Sequence, residues 1–255
     1  MDSKHLAVVI LAAGKGKRMK SDLPKVLHRI GGKPMVEYVI NTAKRLKAER
    51  IILVVGHQWE QTQDLIDRYR VEFVIQKEQL GTGHAVLQTQ KLLSGFDGDV
   101  LILYGDVPLL TVSTLKKLLR EHRAKKVAAT VLTVDLEDPS HYGRIIRDEQ
   151  GMVQKIVEAK DASADQKKVR EINTGIICFD RKALFPVLEK ITNDNSQGEY
   201  YLTDAIKLLR ERKRSVWGKK TTDPMEALGI NSTEELKKAE KIYSKRHSHQ
   251  TKVLP

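Results

Sequence analysis

The sequence predicts an α/β fold, a mostly parallel, mixed sheet with helices on both faces. Three observations carry this. Short apolar runs alternate with helical patterns through the first half of the chain. These runs are apolar throughout rather than at every second residue, as in strands covered on both faces. With 255 residues and 40% hydrophobic content, the chain can build one large domain, or one domain plus a lobe.

Residues 6–11, Leu-Ala-Val-Val-Ile-Leu, form the first expected strand. Met35, Val36, Val39, Ile40, Ala43 and Leu46 then recur at helical spacing over 34–47, and Pro34 suits the first turn. A second strand follows at 51–55, a polar helix at about 60–69 and a short strand at 73–75. Next come a helix over about 83–93, a strand at 100–104, a helix at 111–123 and a strand at 127–134. The pattern changes after about Asp138. Residues 143–147 and 152–157 flank Asp148-Glu-Gln-Gly151 and read as a hairpin. A strand at 174–179 precedes a helix at about 181–191, the run 197–204 leads into another helix, and a charged helix covers about 233–246. Repeats and an obvious interdomain linker are absent. The reading is a single domain over 1–246, whose second half is a substrate-covering lobe on the same sheet, with a frayed tail at 247–255.

The formal net charge is +12. The basic residues are dispersed, with denser patches at 207–220 and 237–252, and few aromatics interleave them. Stacking platforms for single strands are not evident, so the charge reads as solvated surface and nucleic acid is not an expected partner. The single cysteine, Cys178, lies in an apolar run and reads as a buried core thiol in a reducing cytoplasm. Residues 6–13 are a poor secretion signal, because the basic stretch Gly14-Lys-Gly-Lys-Arg18 follows at once. No run is long enough to span a bilayer, and no membrane partner is expected.

The loop Leu11-Ala-Ala-Gly-Lys-Gly-Lys-Arg-Met19 comes directly off the first strand. In an open parallel sheet, the carboxyl end of a strand is where ligands bind. Small residues let backbone N–H groups approach phosphate oxygens, and Lys15, Lys17, Arg18 and Lys25 add positive charge. The dinucleotide fingerprint fails here, because its third glycine place holds Met19. The Walker A pattern fails too, because Lys17-Arg18 follows Gly16 where Lys-Ser/Thr is needed. The loop suits a polyanion; the alternative is a basic surface turn.

Leu11-Ala-Ala-Gly-x-Gly-x-Arg-Met19 followed by Leu23-Pro-Lys-Val-Leu27 resembles the nucleotidyltransferases that make nucleotide sugars. The fuller string Ser21-Asp-Leu-Pro-Lys-Val-Leu-His28 is similar to the uridylyltransferase domain of the bifunctional N-acetylglucosamine-1-phosphate uridyltransferases. So are Gln79-Leu-Gly-Thr-Gly-His-Ala85, Tyr104-Gly-Asp-Val-Pro-Leu109, Tyr142-Gly-Arg144, Ile156-Val-Glu158, Asn173-Thr-Gly175 and Gly198-Glu-Tyr-Tyr-Leu-Thr-Asp204. The matches keep family order and cover nearly all of residues 6–235.

The resemblance implies a Rossmann-like fold of the nucleotide-diphospho-sugar transferase type. It implies UTP and N-acetylglucosamine 1-phosphate as substrates, Mg²⁺ as cofactor, and release of pyrophosphate. Leu11, Ala12, Ala13 and Gly14 would cradle the nucleotide, and Gln76, Gly81 and Thr82 would recognise the uracil. Asp106 and Asn231 would hold the metal, and Arg18 and Lys25 would stabilise the phosphates. Tyr104, Gly143, Glu158 and Asn173 would line the sugar pocket. On this reading residues to about 138 form a nucleotide-binding part, and about 139–231 a sugar-binding lobe.

Each residue also has a plainer reading. Gln76 could be a polar strand end, Gly81-Thr-Gly83 a helix-starting turn, Asp106 a turn aspartate before Pro108 and Asn231 a helix cap. His28, His57, His84 and His141 have no metal-ligand spacing and read as structural or exposed. Two features leave the family pattern. Lys17 stands where threonine is usual. The chain also ends at Pro255 without the hexapeptide repeats of the bifunctional enzymes, so acetyl transfer is not expected.

Overall fold

A computed structural model describes residues 5–14, 16–56 and 58–248, without the side chains of Lys17, His247 and Ser248. Lys15 and His57 lie outside the described residues, as do 249–255 of the expected frayed tail.

The first half alternates strand and helix as expected. Strand β1 is His5–Ala12, and a small hairpin of β2 (Arg29–Ile30) and β3 (Lys33–Pro34) precedes helix α1 (Met35–Arg45). Strand β4 is Arg50–Val55, α2 is Gln63–Tyr69 and β5 is Glu72–Ile75. Helix α3 (Thr82–Leu87), β6 (Gly98–Tyr104), α4 (Val112–Lys125) and β7 (Ala129–Asp135) follow. The hairpin expected after Asp138 is β8 (Arg144–Arg147) and β9 (Val153–Val157). Then come α5 (Ala164–Lys167), β10 (Glu171–Asp180), α6 (Arg181–Leu188), α7 (Asp204–Glu211), β11 (Val216–Lys220), α8 (Pro224–Ala227) and α9 (Thr233–Ser248).

The main sheet runs β11-β7-β10-β6-β1-β4-β5. β1 pairs in parallel with both β4 and β6, and β4 with β5. β10 runs antiparallel between β6 and β7, so the sheet is mixed and its two halves share one core. The hairpin joins through a single pairing of Ile172 with Arg144. Helices cover both faces. Ala7, Val9, Val100 and Ile102 pack on one side, Val8, Ile10, Leu101 and Leu103 on the other, and all are fully or almost fully buried. This alternation of faces along strands apolar on both sides is what the uninterrupted runs signalled. Cys178 is fully buried, as expected.

Several expected elements differ in extent. The helix expected over 83–93 is regular only to Leu87; beyond it the chain turns, and the Thr89 hydroxyl donates back to Val86 O at 2.7 Å. Helix α1 begins at Met35, with Pro34 just outside it. Helix α9 runs through Ser248 rather than ending at 246. Strand β11 was not foreseen. Its two lysines make it look polar, yet it pairs with β7 at the sheet edge, where charged residues are usual. Among the described residues, no helix is long and apolar enough to cross a membrane.

Helix α9 folds back over the small β2–β3 hairpin. Ile30, Met35, Leu109, Ile230 and Ala239 form a separate apolar cluster there, with Tyr38, Leu236 and Tyr243 against it. Gly31 adopts φ +52°, and a Cβ would lie 2.3 Å from the Tyr243 ring. Arg246 Nη1 donates to Leu109 O at 3.0 Å. The last helix is thus tied to the carboxyl end of the sheet, where it begins.

Candidate active site

The carboxyl ends of β1, β5 and β6 open into a cleft of about 540 Å³. Of the residues singled out from sequence, Leu11, Ala12, Ala13, Gly14, Lys25, Gln76, Gly81, Thr82, Tyr104, Asp106 and Asn231 all line it. Arg18 lines an adjoining hollow with Gly16, Lys25 and Asn231. Gly143, Glu158 and Asn173 do not line the cleft; they form a second cluster joined to it through Tyr104.

The loop after β1 is shaped by its own side chains. Gly16 sits at φ +58°, and a Cβ there would lie 2.7 Å from Lys25 Cβ. Glycine is therefore needed for the loop to fold over Lys25. Gly14 is different, because a Cβ there would meet nothing within 4 Å. That space is open for a ligand. Met19, in the place of the missing third glycine, is 2% exposed and anchors the loop in the core. Arg18 is exposed. Lys25 opens a short 3-10 turn after Pro24, and the buried Val26 and Leu27 hold it in place.

Three distant segments meet at the Lys25 ammonium. It forms an ion pair with Asp106 Oδ2 and donates to Asn231 Oδ1 at 2.9 Å. Gly229 comes so close that a Cβ would lie 3.3 Å from Asp106 Oδ2. Ile230 N donates to Asp106 O at 2.9 Å, holding the segment before α9 against the end of β6. Asn231 is not the cap of α9. Ser232 Oγ accepts from Glu235 N at 3.2 Å, and the Glu235 carboxylate accepts from Asn231 N at 2.6 Å. The Asn231 Nδ2 donates to Gly229 O at 3.1 Å, which aims its oxygen at Lys25. A carboxylate and an amide oxygen converging on one cation are hard donors of the kind Mg²⁺ takes, and the ammonium stands where such an ion fits.

Across the cleft, Gln76 directly follows β5 and is 3% exposed. Gly81 has φ +115°, and a Cβ would lie 2.6 Å from Tyr200 O, so only glycine allows this approach. Thr82 Oγ1 accepts from Leu202 N at 3.0 Å and meets the Tyr104 hydroxyl. Burial, with Glu158 and Asp106 nearby, pushes the Tyr104 phenol up, so it stays a neutral hydrogen-bonding group. Its ring packs on Gly175, where a Cβ would lie 2.7 Å away.

The second cluster is tied together by backbone. Asn173 N donates to Gly143 O at 2.8 Å, and Asn173 Oδ1 accepts from Gly175 N at 2.9 Å. A Cβ on Gly143 would lie 3.4 Å from both Glu158 carboxylate oxygens. Buried Arg144 donates to Pro139 O at 3.1 Å and to Tyr142 O, pinning the turn that carries Gly143. Glu158 accepts from Thr203 Oγ1 at 3.0 Å. Burial raises its carboxyl pKa, and Asp204, Asp161 and Glu199 add to this, while the Thr203 bond opposes it.

Among the described residues, one group of three His, Cys and Asp side chains lies within metal-holding distance, Asp99, His122 and Cys178. It sits at the opposite end of β6, where Arg123 Nε donates to Asp99 Oδ2 at 2.7 Å and His122 bonds Thr130. His84, read as structural or exposed, is partly buried beside the cleft. It touches Gln76 Nε2 at 3.1 Å. Its place in Gly81-Thr-Gly-His84 was visible, but its partner Gln76 follows β5. Lys15 and the Lys17 side chain lie outside the described residues.

A family model described as MobA-like NTP transferase domain matches residues 8–210, and the chain belongs to that family. The "Bifunctional protein GlmU" of Listeria innocua serovar 6a is 50% identical over 244 residues, covering 96% of this chain and 53% of that protein. The protein of the same name from Enterococcus faecalis is 48% identical over 238 residues, covering 93% and 52%. The chain thus spans about half the length of these curated relatives. A solved UDP-glucose pyrophosphorylase complexed with UDP-glucose superposes with a TM-score of 0.77 at 20% identity, over 95% of this chain and 99% of that one. At that identity the likeness is one of fold.

Proposed function

We propose that this member of the MobA-like NTP transferase family joins UTP to N-acetylglucosamine 1-phosphate, forming UDP-N-acetylglucosamine and pyrophosphate. It would do so in the cytoplasm. The observation that carries the reading is the clasp of Asp106 and Asn231 around the Lys25 ammonium, beside an open glycine loop. Such a site gathers anionic oxygens and cations at the carboxyl end of a parallel sheet, where a nucleotide and a sugar phosphate can be brought together. The identity to proteins named GlmU supports the choice of substrates.

The attacking group is a phosphate oxygen, already ionised at neutral pH, so no general base is required. What must be overcome is the approach of two anions in line. Arg18 and Lys25 share one hollow, and their charges serve the α-phosphate and the departing pyrophosphate. Asp106 and Asn231 would hold Mg²⁺, which when bound supplies neutralising charge between sugar phosphate and α-phosphate. Leu11 to Gly14 lie along the nucleotide, with Gln76, Gly81 and Thr82 at its base. Gly143, Asn173, Glu158 and Tyr104 receive the sugar, with glycine allowing close approach and the polar groups bonding hydroxyls and the acetamido group. In this reading residues to about 138 bind the nucleotide, and about 139–231 bind the sugar.

Pyrophosphate release from UTP, N-acetylglucosamine 1-phosphate and Mg²⁺ tests the reading, beside a panel of other NTPs and sugar 1-phosphates. We expect the named pair to react fastest. Asp106→Ala should lose at least about 100-fold in turnover, as groups that stabilise transition-state charge do, with the fold unchanged by circular dichroism. A faster reaction with another pair refutes the substrates. Undiminished Mg²⁺-dependent release by Asp106→Ala refutes the metal site.

A further inference from the structure

Gln76 Nε2 lies 3.1 Å from Gly81 O and 3.1 Å from His84 Nδ1. An amide nitrogen carries two hydrogens, and a backbone carbonyl can only accept. Gly81 O therefore fixes which end of the Gln76 amide is nitrogen. The second hydrogen points at His84 Nδ1, which must accept it. That places the ring proton on Nε2. Nε2 faces the Gln88 amide at 3.1 Å. The Gln88 nitrogen also donates to His84 O at 3.1 Å, and a ring with one proton can accept from only one of the two amides. Gln88 is the partly buried one, and His84 O keeps its backbone donor, Gln88 N at 3.3 Å, when that side chain turns, so the Gln88 amide rather than that of Gln76 suits the ring N–H.

Both amide hydrogens of Gln76 are thus spent inside the protein. Its oxygen accepts from no protein group among the described residues, and Gln76 and Gly81 both line the cleft. Beside it, the Gly81 and Thr82 backbone N–H groups donate to no protein atom among the described residues, as at the start of any helix. The wall therefore offers one acceptor next to backbone donors. Uracil presents the complement, an N3–H beside a carbonyl. Cytosine reverses both, with a lone pair at N3 beside an amine.

We propose that His84 is a positioning residue for base selection: it locks the Gln76 amide with its oxygen toward the cleft, so that a pyrimidine with N3–H is taken and one with an N3 lone pair is refused. The proposal rests on the reading of this cleft as a UTP site. His84 does not line the cleft and acts only through Gln76.

The test uses the whole chain as wild type, His84→Ala and His84→Asn. UTP and CTP are compared by calorimetric titration and by steady-state turnover. Asparagine can set an oxygen near the place of the imidazole Nδ1 and accept the same hydrogen; alanine cannot. Without the lock the amide is free to turn and offer its nitrogen. We expect His84→Ala to lose about tenfold of the UTP-over-CTP preference, the scale of one hydrogen bond. The loss should fall on KM and the binding constant rather than on kcat, and His84→Asn should recover most of it. An unchanged preference in His84→Ala overturns the proposal, as does a loss confined to kcat or no recovery in His84→Asn. A wild-type protein without preference for UTP refutes the UTP reading itself, an outcome told apart by the wild type alone.

Discussion

Replacing Lys25 with methionine separates two things that the structure superimposes. The ammonium lies between Asp106 and Asn231, the two residues proposed to hold a divalent ion. The lysine and aspartate side chains are 14% and 11% exposed, so the pair is only weakly screened. On that proposal, a metal ion entering from solvent would have to displace the ammonium first. A charge-assisted hydrogen bond contributes about 1.5–3 kcal/mol. At about 1.4 kcal/mol per decade, removing that competitor should tighten metal binding about 10- to 100-fold. Mn²⁺ titration followed by electron paramagnetic resonance reads this directly, without turnover. Lys25→Met should also melt lower than wild type in chelator, because Asp106 loses its counter-charge, and regain most of that on adding metal. Turnover should fall despite the tighter metal, since the phosphates lose a cation. Metal affinity that is unchanged or weaker in Lys25→Met would refute the shared position.

Two further outcomes follow from the same geometry. Burial raises the Glu158 carboxyl, so the folded state holds its proton more tightly than the unfolded one. Its stabilising effect is therefore present below the unfolded carboxylate range and is lost as pH rises through the folded value. Glu158→Gln should match wild type in Tm at acid pH and exceed it at neutral pH, while KM for the sugar phosphate rises; a Tm gain at acid pH alone would contradict this. Gly16→Ala places a methyl 2.7 Å from Lys25 Cβ at φ +58°. It should cost at least about 1 kcal/mol in denaturant unfolding and raise KM for nucleotide, and an unperturbed variant would show that the loop does not need this conformation.

Much of the fold was legible because buried parallel strands write themselves as unbroken apolar runs. The runs at 6–11, 51–55, 73–75 and 100–104 became β1, β4, β5 and β6 with small changes at their ends. Direction was not written. The run at 174–179 looks like its neighbours, yet β10 enters antiparallel between β6 and β7, because the chain returns from the β8–β9 hairpin. The β11 edge strand was hidden by Lys219 and Lys220, whose ammonium groups reach Glu121 and Asp135. Sequence patterns report which faces are dry, and an edge strand has too little dry face to report.

The site shows a similar limit at the level of single residues. The glycine loop was legible from its position after a strand, and the resemblance carried the remaining assignments. Spacing alone could not choose between Asn231 as a cap and Asn231 as an oxygen donor. The structure decides the first half of that question, since Ser232 takes the cap and the Glu235 carboxylate takes the Asn231 backbone N–H. An asparagine relieved of capping, with its nitrogen held by Gly229 O, has only its oxygen left to offer. The same logic operates at Gln76, where the nitrogen is held by Gly81 O and His84. In both places the protein spends the donor end of an amide on itself and turns the acceptor end outward. That is why neither role could be read locally: each depends on which atom of a symmetric-looking side chain is already engaged. On the proposed roles one amide suits a cation and the other an N–H, and Gly229 and Gly81 supply the carbonyls that make the choice.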